Sequence, residues 1–159
     1  MKLIVMSDSH GDYKTVLQIV EKYKDDDVMF LHLGDGDAEF NYIMDKKYPE
    51  LAHKIVCGNC DCSYTLKDEE IFTVEGKKIF MTHGHRYDVK TDLNCLFFAG
   101  REENADIVLY GHTHCPKIDY QDGMYIINPG SIHMGYFGSG TYATIEVRKD
   151  GILPNIVKL

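Results

Sequence analysis

KLIVMSDSHGD, residues 2–12, decides how this chain is read. The apolar run Leu3 to Met6 suits a buried first strand and is far too short for a signal-peptide core or a membrane span. It gives way to Asp8 and His10. From Tyr13 to Lys24, Val16, Leu17, Ile19, Val20 and Tyr23 fall near a helical period. The order is strand, polar loop, helix. Val28 to Leu33 then reads as a second buried strand, Glu39 to Lys47 as a helix ended before Pro49, and His53 to Cys57 as a third strand. Further on the pattern changes. Glu75-Gly76, Asp122-Gly123 and Asp150-Gly151 are hairpin signals between β-branched or alternating runs, with a helix expected between Val89 and Glu103 and a strand at Ile107 to Tyr110. Parallel units in front and hairpins behind predict two packed sheets with helices outside, a layered α/β domain spanning residues 1–159.

Composition sets the bounds. A chain of 159 residues can bury about two-thirds of its unfolded surface without staples. The 17 basic and 25 acidic residues give a net charge of -8, which argues against a nucleic-acid partner held by a basic footprint. A small anionic substrate remains compatible, because bound cations invert the local field. The five cysteines are an odd number, and Cys57, Cys60 and Cys62 are too crowded for a disulfide framework. A reducing, cytoplasmic setting without a membrane fits these features.

The polar residues collect just after the expected strands. Asp8 and His10 follow the first, Asp35 and Asp37 the second, Asn59 the third, His83 and His85 the strand Lys78 to Met81, and His112 and His114 the strand Ile107 to Tyr110. Ligands of α/β sheets bind beyond the carboxyl ends of strands, so these loops are expected to converge. Taken singly, most have bland readings. Asp8 suits a helix cap, Gly34-Asp35 an ordinary turn, and Gly58-Asn59 a tight turn in which Asn tolerates left-handed backbone. The pairs His83/His85 and His112/His114 are harder to explain as core residues, and imidazole is the commonest metal ligand near neutral pH. A carboxylate has two oxygens and can bridge two cations, which makes Asp35 the candidate bridge. His32, His53 and His133 lack such neighbours and are read as surface or core packing. The CxxC of Cys57 and Cys60 has no second copy to complete a thiolate site, so Cys57 is read as buried packing and Cys60 as facing the site.

The ordered set Asp8-Ser9-His10, Gly34-Asp35, Gly58-Asn59, Gly84-His85 and Gly111-His112-Thr113-His114 resembles the calcineurin-like metallophosphoesterase superfamily. Gly58-Asn59-Cys60-Asp61 and Asn128-Pro129-Gly130-Ser131 are most similar to its small YfcE-type phosphodiesterases, a branch that also resembles the retromer scaffold subunit Vps29. The resemblance implies a four-layer αββα sandwich of two mixed sheets flanked by helices. It implies two divalent cations, manganese first, with iron, nickel or zinc also compatible. Asp8, His10, Asp35 and His114 would bind one, and Asp35, Asn59, His83 and His112 the other. It further implies a small phosphoester substrate hydrolysed by attack of a water activated between the metals, with Asp35, Asn59 and His85 in catalytic roles and Arg86 on the substrate phosphate. Many relatives carry His where this chain has Cys60. A neutral thiol is the poorer proton donor, so diesters with good leaving groups are the expected substrates. Ser131 closes a structural turn, and the loop Gly135 to Gly140 is read as a mobile lid or a contact in a homo-oligomer. The competing expectation is a non-catalytic, Vps29-like binding scaffold.

Overall fold

The computed structural model describes residues 1–133 and 139–159, so the proposed lid loop lies largely outside the described residues. The strands are β1 (Lys2–Met6), β2 (Val28–His32), β3 (His53–Ile55), β4 (Glu69–Val74), β5 (Lys77–Thr82), β6 (Ile107–Leu109), β7 (Lys117–Gln121), β8 (Met124–Asn128), β9 (Thr141–Arg148) and β10 (Gly151–Lys158). The helices are α1 (Tyr13–Tyr23), α2 (Asp37–Tyr42) and α3 (Asn94–Glu102). They form two five-stranded mixed sheets, ordered β10-β9-β1-β2-β3 and β4-β5-β6-β8-β7. In the first, β1, β2 and β3 run parallel, β9 is antiparallel to β1 and β10 antiparallel to β9; in the second, β5, β6 and β8 are parallel.

Strand alternation explains the layers. Leu3 and Val5 of β1 point into the space between the sheets, where they meet Ile79 and Met81 of β5 and Ile107 and Leu109 of β6. Ile4 and Met6 point the other way, onto Val16, Ile19 and Val20 of α1 and Phe40 of α2. Phe80, Val108 and Met124 on the far face of the second sheet receive Leu96 of α3. Helix, sheet, sheet and helix therefore stack in that order. Both faces of the central strands are covered, which is why they read as continuous apolar runs rather than alternating ones.

Several boundaries move from their expected places for local reasons. The second helix begins at Asp37 rather than Glu39, and Ile43–Lys47 continues it as a π-helical turn. The third strand ends at Ile55, because the Cys57 N–H leaves the sheet to bond Lys67 O at 2.8 Å. Cys57 is thus only half-buried, with its thiol directed at Gly58 O, and the expected inward strand position is corrected. The third helix starts at Asn94, where Asp92 Oδ1 accepts the Asn94 N–H. Glu75-Gly76 and Asp122-Gly123 form left-handed two-residue turns as expected. The last hairpin is offset by one residue: Arg148 pairs with Gly151, so Lys149 and Asp150 make the turn. No described helix is long and apolar enough to cross a membrane.

Candidate metal centre

The parallel strands β1, β2, β5 and β6 deliver their following loops to one edge of the sandwich, and site residues stitch the two sheets together there. Asp8 N–H bonds Gly34 O at 3.0 Å, Gly111 N–H bonds His83 O at 3.1 Å, and the His112 N–H reaches across to Asp8 Oδ2 at 3.1 Å. These loops turn abruptly. Asp8, His10, Asp35, His112 and His114 all adopt left-handed backbone, with φ between 45° and 67°. Such conformations cost of order 1–3 kcal/mol each for residues with a Cβ and persist only where the surroundings enforce them. Close approach is enforced too. A Cβ on Gly58 would strike the Asp35 carboxylate and one on Gly111 would strike Ser7 Oγ, so glycine is needed where the loops meet.

The expected ligands converge in two overlapping sets. Asp8, His10 and His114 present atoms within 4.8 Å of one another, and so do Asp8, Asp35 and His83. His83 Nε2 lies 3.5 Å from Asp35 Oδ2 and 3.1 Å from Asn59 Oδ1, and its ring centroid is 5.0 Å from that of His112. Asp35 is thereby flanked from both sides, by His10 and Cys60 on one and His83 on the other.

Hydrogen bonding tests whether these atoms suit a cation. His83 Nδ1 lies 2.7 Å from Leu33 O and donates to it, which turns Nε2 toward the site. Nε2 there meets two acceptors, Asn59 Oδ1 at 3.1 Å and Asp35 Oδ2 at 3.5 Å, so the position takes either a proton on the ring or a cation bound in its place. Asp8 Oδ1 is buried without an aligned hydrogen-bond partner among the described residues, although His114 Nε2 approaches to 3.1 Å. Mixed imidazole nitrogen and carboxylate oxygen donors are the ligand types of transition-metal sites. The residues fit the expected group.

The electrostatics follow from the same contacts. Burial alone would raise the Asp8 and Asp35 carboxyls. The His114 imidazole and the Ser7 hydroxyl beside Asp8, and hydrogen bonds from His83 and the Cys60 N–H to Asp35, outweigh it and hold both below the usual carboxylate range. Burial works against protonated His83, but Asp35 and Asp8 raise it above an ordinary histidine. Its partner His112 is pushed down to about 4 by burial, then by the positive charge of His83.

Sequence reasoning missed the residues that hold the loops. Asp61 accepts four backbone N–H groups, from Gly58 at 2.7 Å, Gly36 at 2.8 Å, Asp35 at 2.9 Å and Asp37 at 3.1 Å. One carboxylate therefore ties the Asp35 loop to the Asn59 loop. A second anchor secures the Asp8–His10 loop. Gly34 N–H donates to His32 Nδ1, so His32 Nε2–H donates to Ser9 Oγ, and Ser9 donates to Glu39 Oε1 at 2.6 Å, which also accepts Gly11 N–H at 2.8 Å. His32 is core packing, as expected, but within a polar relay. Ser131 donates to Asp8 O at 2.8 Å, joining its turn to the same loop. A buried acid three residues into a helix and an Asp after Gly-Asn-Cys were the available signals for Glu39 and Asp61.

The remaining candidates are spread around this centre. The His85 ring lies 5.4 Å from His83 and 6.2 Å from His112, and its Nδ1 is buried without a partner among the described residues. Burial and the neighbouring His83 lower its pKa. Arg86 is engaged with Asp68 at 3.0 Å, with its side chain 63% exposed. Cys60 is exposed, and its sulfur is close to donor atoms of His10 and Asp35; burial and Asp35 push the thiol up. His53 bonds Leu51 O at the edge of the first sheet, while the exposed His133 ring stands 6.3 Å from His10.

Known proteins resemble this chain in sequence and fold. The family model described as the calcineurin-like phosphoesterase superfamily domain matches residues 1–150. The probable metallophosphoesterase YsnB of Bacillus subtilis is 32% identical over 84% of this chain and 76% of its own length. The phosphodiesterase YfcE of Escherichia coli K12 is 27% identical over 83% of this chain and 79% of its own. Among solved structures, a predicted phosphoesterase from Streptococcus pneumoniae TIGR4 superposes with a TM-score of 0.85 at 30% identity, covering 99% of this chain and 88% of that one. Entamoeba histolytica Vps29, complexed with zinc, has a TM-score of 0.78 at 19% identity over 99% of both chains, a likeness of fold alone. The chain belongs to the calcineurin-like phosphoesterase superfamily.

Proposed function

We propose that this protein is a dinuclear metal-dependent phosphodiesterase. The observation that carries the reading is the pairing of donor sets about Asp35, with His83 Nε2 and Asn59 Oδ1 facing each other at 3.1 Å and Asp8 Oδ1 buried without an aligned partner. Asp8, His10, Asp35 and His114 hold one cation, and Asp35, Asn59, His83 and His112 hold the second. Manganese, iron, nickel and zinc all suit such donors. Bound there, the cations supply Lewis acidity and an activated water at neutral pH.

The chain's own groups do the rest. Leu33 O keeps His83 Nε2 aimed inward, and Asp61 holds the Asp35 and Asn59 loops at fixed separation. His85, neutral near pH 7, lends its ring N–H to a phosphate oxygen. Arg86 joins the phosphate only by exchanging Asp68 for it. Cys60 stands at the open side of Asp35 as a neutral thiol, a weak proton donor, so leaving groups that depart without protonation are favoured. The relative named a phosphodiesterase supports the same choice of substrate. Free thiols at all five cysteines suit a reducing compartment such as the cytoplasm.

The test is metal analysis of the purified protein, together with hydrolysis of bis(p-nitrophenyl) phosphate and p-nitrophenyl phosphate with and without manganese. Metal-dependent turnover with the diester faster is expected. Equal inactivity of wild type and Asp35→Ala at every metal loading would instead favour the scaffold reading.

A further inference from the structure

A cavity of about 400 Å³ opens beside the metal centre, lined in part by His114, Pro116, Ser131, Ser139, Thr141 and Lys158. This volume lies within the range of small-molecule sites. Two of its walls belong to the centre: His114 is one of the expected ligands, and Ser131 is bonded to the backbone of Asp8. The cavity therefore adjoins the candidate centre on its His114 side.

The wall chemistry selects the arm. Thr141 Oγ1 donates to Pro129 O at 2.7 Å, and the Ser131 hydroxyl is committed to Asp8 O or His133 O, so neither hydroxyl proton is free and any anion must be held by other donors. Pro116 contributes an apolar wall. The charge comes from Lys158, at the end of β10 opposite Thr141 of β9. No carboxylate is among the described lining residues, and Lys158 makes no ion pair among the described residues. On a chain of net charge -8, Lys158 is the one ammonium among the described residues that line this cavity.

We propose that this cavity is a specificity subsite for an ester arm bearing a second phosphate, recognised by Lys158. The inference rests on the phosphodiesterase reading. The substrate class is then a small diester with a phosphorylated arm, such as a phosphorylated nucleoside, rather than a neutral alkyl or aryl diester.

The experiment compares the 5′-(p-nitrophenyl phosphate) of thymidine with and without a 3′-phosphate, for wild type, Lys158→Ala and Lys158→Arg. In the wild type the 3′-phosphate should lower KM several-fold with little change in kcat. Lys158→Ala should bring the two KM values within about twofold, and Lys158→Arg should restore most of the difference, as expected of an exposed charge pair worth about 1 kcal/mol. Calorimetric binding of thymidine 3′,5′-bisphosphate gives a readout without turnover, and it should weaken about fivefold in Lys158→Ala. Equal KM values in the wild type, or an unchanged ratio and unchanged bisphosphate binding in Lys158→Ala, would overturn the subsite. If bis(p-nitrophenyl) phosphate is hydrolysed while those signs are missing, only the subsite falls. If no ester is hydrolysed, the phosphodiesterase reading falls, and the calorimetry still decides whether the cavity binds the anion.

Discussion

The left-handed backbone of the hairpins and that of the candidate metal centre are built differently. In the hairpins, Glu75-Gly76 and Asp122-Gly123 adopt it inside two-residue turns, and nothing lies within 4 Å of a Cβ built on either glycine. At the candidate metal centre, Asp8, His10, Asp35, His112 and His114 adopt it against strands, glycines and buried carboxylates from distant parts of the chain. The hairpin turns are local solutions, set by residue type and turn length. The site turns are imposed by long-range partners, among them Asp61 across 26 residues from Asp35 and Asp8 across 104 residues from His112. Conformational cost is borne where ligand atoms must be aimed, as pre-organisation requires.

The comparison breaks most readily at Asp35. Replacing it with alanine should lower turnover of an aryl phosphodiester by about 10³-fold or more, because both donor sets lose their shared carboxylate. Steady-state kinetics beside metal analysis checks this, and near-normal turnover would remove Asp35 from the centre.

Acid should separate the two regions next. The folded pKa of His32 is pushed by burial from 6.5 down to about 4. Between those values the unfolded chain takes up a proton that the folded chain refuses, so stability is full above about pH 6.5 and falls as the pH drops toward 4. The loss is about 3 kcal/mol. Urea unfolding of metal-free protein across that range should show the decline, and His32→Asn should make it shallower, leaving the share of His112, which is also pushed down to about 4. A slope unaffected by the substitution would assign the acid sensitivity elsewhere.

Asp61 sharpens the comparison at a smaller scale. Asp61→Ala should weaken metal affinity by about 10–100-fold, with Asp61→Asn, which keeps an acceptor oxygen, falling less. Titration with manganese or zinc distinguishes this from a general loss of folding. Unchanged affinity would mean that the Asp35 loop holds its shape without the anchor. The smallest effect belongs to the hairpin. Asp122→Ala should cost about 1 kcal/mol or less in urea unfolding and leave metal affinity alone, since its strain is local and shared with Gly123.

Much of this was legible in the chain. The continuous apolar run of β1, the helical spacing of Val16, Ile19 and Val20, and the Glu75-Gly76 and Asp122-Gly123 turns each carry their structure in adjacent residues. The candidate ligands were legible as polar residues following strands, because backbone direction brings those loops to one edge. Boundaries were less so: Cys57 leaves its strand for Lys67 O, an acceptor ten residues away that no local pattern reveals. The anchors Asp61, Glu39 and His32 were also hidden, since an acid or imidazole in a loop or helix looks the same whether it meets water or four backbone N–H groups.

By itself, then, the sequence determined the periodicities, the hairpin turns, the membership of the polar set and the thiol at position 60, because these depend on residue type and near neighbours. Only the tertiary structure decided the stacking of Leu3 and Val5 against β5 and β6, the orientation of the His83 ring, the burial of Asp8 Oδ1 and the cavity lined by Lys158. Each of those depends on contacts between segments far apart in the chain, where burial and hydrogen-bond geometry, rather than local propensity, set the energy.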